Sequence, residues 1–188
     1  MKKFFYLLLV LLTLLSCSED KNEWITATIK EGEHTSTIDR RNIPAKRECC
    51  IEMLFDESNR TDTTYNAISK VYGVSDGYNH MKHSVRIGYR YFAERGDIAI
   101  YAFSHIDDSM TTHSSNILGY CDIGEISYAC YKITNDKYIY KYKEGHIEHD
   151  RGRNSRAWIM YTLKPYFGGG WPAPHEMKVR YREYISTD

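Results

Sequence analysis

Leucine is almost absent from the chain after Cys17. Seven of the ten leucines precede that cysteine, and only three follow it. The same stretch contains 18 isoleucines and 16 tyrosines. Helical cores rely on leucine and alanine, whereas β-branched and aromatic side chains suit a pleated, half-buried surface. This distribution argues against a helical bundle and favours a β-rich fold.

Apolar and polar residues alternate in short runs from Cys49 onward, with turn residues between the runs. The clearest run places Val85, Ile87 and Tyr89 on one face of a strand and arginines on the other. Such runs recur about every 8–12 residues, and no crossover-helix pattern separates them. The sequence therefore predicts an all-β fold, an antiparallel β-sandwich similar to a jelly roll, with at most one short helix, over residues 63–72.

The amino terminus predicts a lipoprotein signal peptide over residues 1–16. Two lysines precede a 12-residue apolar run, Phe4 to Leu15, which is too short for a membrane-spanning helix of about 20 residues. The Ser16-Cys17 pair that follows resembles the processing box of bacterial lipoproteins. On that resemblance Cys17 is lipidated, and two or three acyl chains anchor a protein durably in a membrane.

Residues 17–47 are expected to be the lipidated cysteine and a tether, and residues 48–188 the β-sandwich domain. The acidic residues after Cys17 resemble the surface-export signals of Bacteroidota lipoproteins, and an ordinary flexible tether is the alternative. Within the tether, residues 24–29 alternate enough to form an edge strand. We expect an exported outer-membrane lipoprotein, and exposure at the cell surface if the export signal operates.

Four cysteines lie within the predicted domain. An exported protein meets an oxidising compartment, where disulfides form. Residues 117–133 predict a hairpin that would place Cys121 directly opposite Cys130. Direct opposition brings Cβ atoms to about 4.5–5.5 Å, slightly wider than the roughly 3.5–4.5 Å of a disulfide, so a Cys121–Cys130 disulfide and free thiols are both open. Cys49 and Cys50 point to opposite faces of a strand and are expected to be free. The cysteine spacing does not match that of zinc sites.

Six segments between residues 50 and 184 form a combination that is typical of one protein family. They are Phe55-Asp56-Glu57-Ser58, Val71 to Gly77, His83 to Arg90, Ile98 to Ser104, Pro165-Tyr166-Phe167-Gly168-Gly169 and Ala173-Pro174-His175. Together they resemble an uncharacterised family of exported Bacteroidota β-sandwich lipoproteins. The chain departs from that family at Gly170-Trp171 and at Tyr89. The resemblance implies a β-sandwich outside the cytoplasm, and it implies no chemistry, because the family has no established activity.

Five residues are candidates for ligand binding: Arg86, Arg90, Tyr166, Trp171 and His175. The two arginines share a strand face, where their guanidinium groups could hold a carboxylate or an anionic sugar. A solvated face, or arginines that tie down loops through carbonyl groups, is the alternative. The other three lie in a Gly/Pro-rich loop whose aromatic rings could stack on sugars. A loop that plugs the end of the sandwich with Trp171 buried is its alternative.

The sequence predicts no catalytic residue, cofactor or metal site. Lys and Arg together number 25, as do Asp and Glu, and this balance argues against a nucleic-acid partner, which needs a basic face. His80 and His83 lack a third metal ligand. The carboxylates between Glu144 and Asp150 are better explained as charges on a polar edge hairpin than as a calcium site.

We therefore expect a lipid-anchored, non-enzymatic module that binds glycan or another component of the envelope surface. A polysaccharide lyase or hydrolase on a concanavalin-like sandwich is the first alternative, with an arginine holding an acidic sugar and a tyrosine or histidine as base. An accessory subunit of an envelope protein complex is the second alternative.

Overall fold

A computed structural model describes residues 23–38, 45–111, 114–152 and 160–184. Within these ranges the chain forms strands and two single-turn 3₁₀ helices, Glu57–Asn59 and Ser114–Asn116, and no α-helix. The strands are β1 Ile25–Ile29, β2 Glu48–Phe55, β3 Ser69–Asp76, β4 Ser84–Phe92, β5 Asp97–Ile106, β6 Ser109–Met110, β7 Ile117–Cys121, β8 Ile126–Ile133, β9 Lys137–Tyr142, β10 Gly145–Asp150, β11 Met160–Leu163 and β12 Met177–Tyr184.

The strands form two antiparallel sheets. The first sheet has the order β1-β12-β2-β8-β9-β10, and the second has the order β11-β3-β4-β5-β6 with β7 beside β5. Every pair of neighbouring strands is antiparallel. The β-sandwich that the alternating pattern predicts is the fold of this protein.

The core lies between the two sheets and is built from isoleucine, valine and tyrosine. Alternate residues of each strand point inward because the side-chain period of a strand is two. Tyr138 and Tyr140 are completely buried, and their hydroxyl groups donate to Asp76 Oδ2 at 2.7 Å and to the Phe103 carbonyl at 2.8 Å. Because these two buried hydroxyl groups have partners, both tyrosines fill the core without leaving their polar atoms unsatisfied.

The helix predicted over residues 63–72 does not form. Residues from Ser69 onward belong to β3, and the pairing of β3 with β4 shifts register between Lys70 and Tyr72. A bulge at this point places Val71 and Tyr72 together in the core. Consecutive apolar residues of this kind imitate helical spacing, which explains the wrong prediction.

The edge strand predicted at residues 24–29 is confirmed. β1 forms one edge of the first sheet and pairs with β12 along its whole length. This part of the predicted tether therefore belongs to the sandwich. Residues 1–22, including the signal peptide and Cys17, lie outside the described residues. In the described ranges, no helix has the length and apolar character needed to cross a bilayer.

The disulfide predicted between Cys121 and Cys130 is wrong. The 117–133 hairpin does not form, because β7 pairs with β5 in the second sheet while β8 pairs with β2 and β9 in the first. Cys130 stands opposite Cys50 in the ladder between β2 and β8, with a Cα–Cα distance of 4.0 Å, and these two are bonded. Cys49 and Cys121 are buried free thiols. The bonded cysteines are directly opposed, as expected, but across the ladder of β2 with β8.

Candidate functional site

The outer face of the second sheet collects cationic and aromatic side chains from three neighbouring strands. Side chains two apart on a strand share a face, and strand pairing aligns them into rows. Phe103 shows which face this is, because Lys70 Nζ lies over its ring. We define the cationic face by five residues: Lys70, Arg86, Arg90, Phe103 and His105. Its rows across β3, β4 and β5 are Lys70–Gly88–Tyr101, Gly73–Arg86–Phe103 and Ser75–Ser84–His105.

The side chain of Arg86 packs against Gly73, its partner residue on β3. Any side chain at position 73 would occupy the same space. A Cβ atom at Gly73 would come within 2.7 Å of Arg86 Cγ. Arg86 is only 6% exposed and donates from Nη2 to the Lys164 carbonyl at 2.9 Å, while its Nε has no partner among the described residues. Burial lowers the pKa of Arg86 to about 10. The guanidinium therefore ties down a neighbouring segment, keeps its charge at neutral pH and retains an unused donor.

Lys70 is a buried ammonium group without a carboxylate partner in the described ranges. Its side chain is 5% exposed, and Nζ lies 4.2 Å from the centre of the Phe103 ring and 5.7 Å from that of Tyr166. Burial, and then the charge of Arg86, lower the pKa of Lys70 to about 7. The aromatic rings stabilise the cation, but they do not replace a counterion.

His105 contributes a neutral imidazole to the same face. Its Nδ1 lies 3.0 Å from Ser84 Oγ, and its Nε2 is buried without a partner among the described residues. Burial lowers the pKa of His105 to about 4, and the charges of Arg86 and Lys70 act in the same direction. The imidazole therefore presents an unused polar atom without adding charge at neutral pH.

A pocket of about 260 Å³ opens on this face. Its lining comprises Asn66, Ala67, Ile68, Lys70, Arg90, Phe103, Met110 and Gly169. Arg90 stands at one side, with its guanidinium 4.2 Å from the Phe92 ring and a hydrogen bond from Nη1 to Asn66 Oδ1. The volume is slightly below the roughly 300–1,000 Å³ of typical small-molecule sites, so the pocket is suited to one unit of a longer ligand.

The Gly/Pro-rich loop between β11 and β12 borders this pocket. Tyr166 pairs with Lys70 through two backbone hydrogen bonds, 2.8 and 2.9 Å long, so it extends the sheet beside the cationic face. Trp171 is 53% exposed and lies edge-on to Tyr65, outside the pocket lining. His175 Nε2 lies 2.8 Å from the Ser58 carbonyl, which fixes the loop to the first 3₁₀ turn.

Of the five candidate ligand residues, Arg86 and Arg90 share the cationic face, and Tyr166 is paired with Lys70 of that face. Trp171 lies nearby on the bordering loop, and His175 faces another part of the molecule. The alternative in which Trp171 is buried as a plug does not hold, because the indole is half exposed.

Sequence reasoning missed Lys70, Phe103, His105 and Met110. The alternation that continues through β5 from Ala99 to His105 would have placed two of them on the Arg86 face. Lys70 carried no such signal, since the bulge interrupts the period of two on its strand.

The histidines before β4 have structural contacts. His83 Nε2 lies 3.6 Å from Asp107 Oδ1, and His80 Nδ1 lies 3.3 Å from the Tyr161 hydroxyl. Among the described residues, no group of three or more His, Cys, Asp or Glu side chains is arranged to hold a metal ion. The stretch from Glu144 to Asp150 contains the edge strand β10, as expected for a polar edge hairpin.

No protein-family model matches the sequence, and no curated protein does. Solved structures do share its architecture. The catalytic domain of a laminarinase from Thermotoga maritima superposes with a TM-score of 0.51 at 8% identity, covering 91% of this chain and 82% of that one. A polysaccharide lyase of family 18 gives 0.49 at 8% identity over 93% of each chain. A carbohydrate-binding module from Bacillus subtilis gives 0.41 at 6% identity, covering 85% of this chain and 91% of that one. The likeness to the laminarinase domain shows the fold.

Proposed function

We propose that this protein is a carbohydrate-binding protein of the bacterial envelope, anchored through an acylated Cys17, with the cationic face of the second sheet as its binding surface. The observation that carries the binding function is the open pocket on that face, which is lined by Lys70, a buried ammonium group without a counterion among the described residues. Arg86 Nε and His105 Nε2 are buried without partners among the described residues, and Lys70 is buried without a counterion there. Buried polar groups are normally satisfied, and a hydroxyl-rich ligand in the pocket would give Lys70 the hydrogen-bond acceptor that the described residues do not supply.

A carbohydrate ligand is supported by the shape and chemistry of the face. Sugar-binding sites combine flat apolar surfaces with a few precisely placed polar groups. Here the half-buried ring of Tyr166 has its centre 5.7 Å from Lys70 Nζ, and the buried ring of Phe103 supports the ammonium from 4.2 Å. The fold is also shared with a laminarinase catalytic domain. These features together favour a glycan over a peptide strand, which would need a free sheet edge rather than a sheet face.

Binding is tested with the full chain purified in detergent and a panel of neutral and acidic polysaccharides. We expect saturable binding that is lost in Met110→Trp, because Met110 lines the pocket and is 56% exposed, so an indole there fills the entrance without disturbing the core. Met81→Trp is the matched control, since Met81 is 52% exposed and does not line the pocket. Equal binding by both variants would place the glycan elsewhere, and no binding at all would refute the function.

Chain cleavage is followed in the same samples, because a lyase or hydrolase was the alternative. Unchanged polymer length supports a binding protein. New reducing ends or unsaturated products would show that the protein is an enzyme and would refute the proposal of a non-enzymatic binding protein.

The anchor is tested separately. We expect the wild-type protein to partition into the membrane fraction and its amino-terminal peptide to carry acyl chains on Cys17. Cys17→Ala should release the protein from the membrane without changing glycan affinity. An unmodified Cys17 in the wild-type protein would refute the anchor and leave the binding function to be judged on its own.

A further inference from the structure

The cationic face contains more positive charge than its surroundings neutralise. Lys70 and Arg90 line the pocket, and Arg86 is close enough to Lys70 for its charge to disfavour the lysine's protonation. None of the three forms an ion pair with a carboxylate of the described residues, although the chain as a whole has a formal net charge of zero. An uncompensated charge out of water is costly, so this concentration of cations needs an explanation.

Two ion pairs elsewhere in the described part of the chain show arginines with ordinary carboxylate partners. Arg151 forms a buried pair with Asp76 at 2.7 Å, and Arg182 pairs with Glu52 across β12 and β2. The lack of a counterion is therefore a feature of this face, because arginines elsewhere in the fold do have carboxylate partners. At Arg86 the polar group that does accept a hydrogen bond is a neutral carbonyl, which leaves the charge itself uncompensated.

The pocket gives a ligand access to two of these charges. Lys70 and Arg90 both line it, and the buried ring of Phe103 forms part of its wall. Arg86 is 6% exposed and does not line the pocket, so it acts there through its charge alone. An anionic group entering there would lie between two cationic side chains, with Arg86 contributing a third positive charge.

We infer that the glycan bound on this face is acidic, and that a carboxylate or sulfate group of one sugar unit is held in the pocket between Lys70 and Arg90. This inference rests on the glycan-binding function proposed above and specifies its ligand class. Charge-assisted hydrogen bonds from ammonium and guanidinium groups are the strongest available to such an anion. The sugar ring to which the anion belongs would lie toward the half-buried Tyr166, because the Phe103 ring is only 1% exposed and has the Lys70 ammonium over it.

The test uses polysaccharides that differ in charge alone. Polygalacturonate, alginate, glucuronoxylan and hyaluronan are each compared with a carboxyl-reduced form, in which the carboxylate has become a hydroxymethyl group. Dextran sulfate is compared with dextran, which distinguishes a sulfate from a carboxylate source.

We expect at least one acidic polymer to bind and its neutral counterpart to bind at least tenfold more weakly. Equal binding of both members of every bound pair, or binding of neutral polymers alone, would overturn the inference while leaving glycan binding intact. Binding of none would refute the proposed function itself.

Variants locate the charge. Lys70→Met and Arg90→Gln should each weaken binding of the acidic polymer roughly 10-fold to 100-fold, the loss expected for one hydrogen bond to a charged group. Arg90→Lys keeps the charge and should recover part of the affinity. Lys141→Met is the matched control, because Lys141 is exposed on β9 of the first sheet. Urea unfolding of each variant confirms that it is folded. Unchanged affinity in folded Lys70→Met and Arg90→Gln would contradict the assignment.

Discussion

Replacing Lys70 with methionine should stabilise the ligand-free protein. Burial, together with the charge of Arg86, lowers the pKa of Lys70 from 10.5 to about 7. Each pKa unit corresponds to about 1.4 kcal/mol, so keeping the ammonium charged in the folded state costs about 5 kcal/mol. Methionine has a similar length and no charge, and it can retain the contact with the Phe103 ring.

Part of that gain is offset. The ammonium lies 4.2 Å from the centre of the Phe103 ring, and a cation–π interaction contributes about 0.5–2 kcal/mol that methionine gives up. We therefore expect the free energy of unfolding to rise by about 3 kcal/mol at pH 6–7, which for a domain of this size corresponds to roughly 6–12 °C in Tm.

The sign of the pH dependence follows from the same shift. Because the pKa of Lys70 is lower in the folded state than in the unfolded one, the unfolded chain binds more protons between about pH 7 and 10.5, and the wild type gains stability as the pH rises through that range. Below about pH 7 the full cost persists. The advantage of Lys70→Met should therefore be largest at pH 6 and small near pH 10. Arg86 and His105 face Lys70 and are present in both proteins, so the comparison isolates the lysine.

The assay is urea unfolding of both proteins at several pH values, in buffers without phosphate, sulfate or citrate, because such anions would occupy the pocket and stabilise the wild type. The same variant should bind acidic glycan more weakly than the wild type. A Lys70→Met protein that unfolds at lower urea concentration than the wild type, or whose advantage does not change with pH, would refute the reasoning.

Three further predictions follow from the structure. The affinity for an acidic glycan should fall as the pH rises above about 7 in the wild type and stay level in Lys70→Met, since only the wild type loses the Lys70 proton. Calorimetric titration of both proteins measures this, and parallel pH curves would exclude Lys70 as the anion's partner. Removing the Cys50–Cys130 disulfide by a double serine substitution should lower the free energy of unfolding by about 2–4 kcal/mol, because the bond links residues 80 positions apart. An unchanged free energy of unfolding would show that the bond is not formed in the protein. Gly73→Ala should destabilise the fold by more than about 2 kcal/mol, because its Cβ would lie 2.3 Å from the Val85 carbonyl oxygen; thermal unfolding with an unaltered midpoint would contradict this close approach.

The sequence predicted the strands of this protein more successfully than their partners. Alternation identified the core face of β4, because that strand is regular along its whole length. The turn that joins β4 to β5 contains Gly96, whose backbone φ of +75° favours glycine. Which strands pair across the sandwich is decided by contacts between distant parts of the chain, and a local pattern does not contain them. The hairpin predicted over residues 117–133 failed for this reason, and the Cys121–Cys130 disulfide failed with it.

The candidate site was only partly predictable for the same physical reason. Arg86 and Arg90 could be placed on one face from β4 alone. Lys70 reaches them through the pairing of β3 with β4, displaced by a bulge that no local period reveals. The hydrogen bond from Arg86 to the Lys164 carbonyl joins residues 78 positions apart. Cation clustering on this face is therefore a property of the tertiary fold.

A crystal structure of the full chain with an acidic oligosaccharide chosen from the polymer panel addresses the binding surface directly. We predict the sugar on the outer face of the second sheet, with its anionic group between Lys70 and Arg90 and its ring toward Tyr166. Density for the oligosaccharide on the first sheet, or at the Trp171 loop with the pocket unchanged, would contradict the assignment of this face.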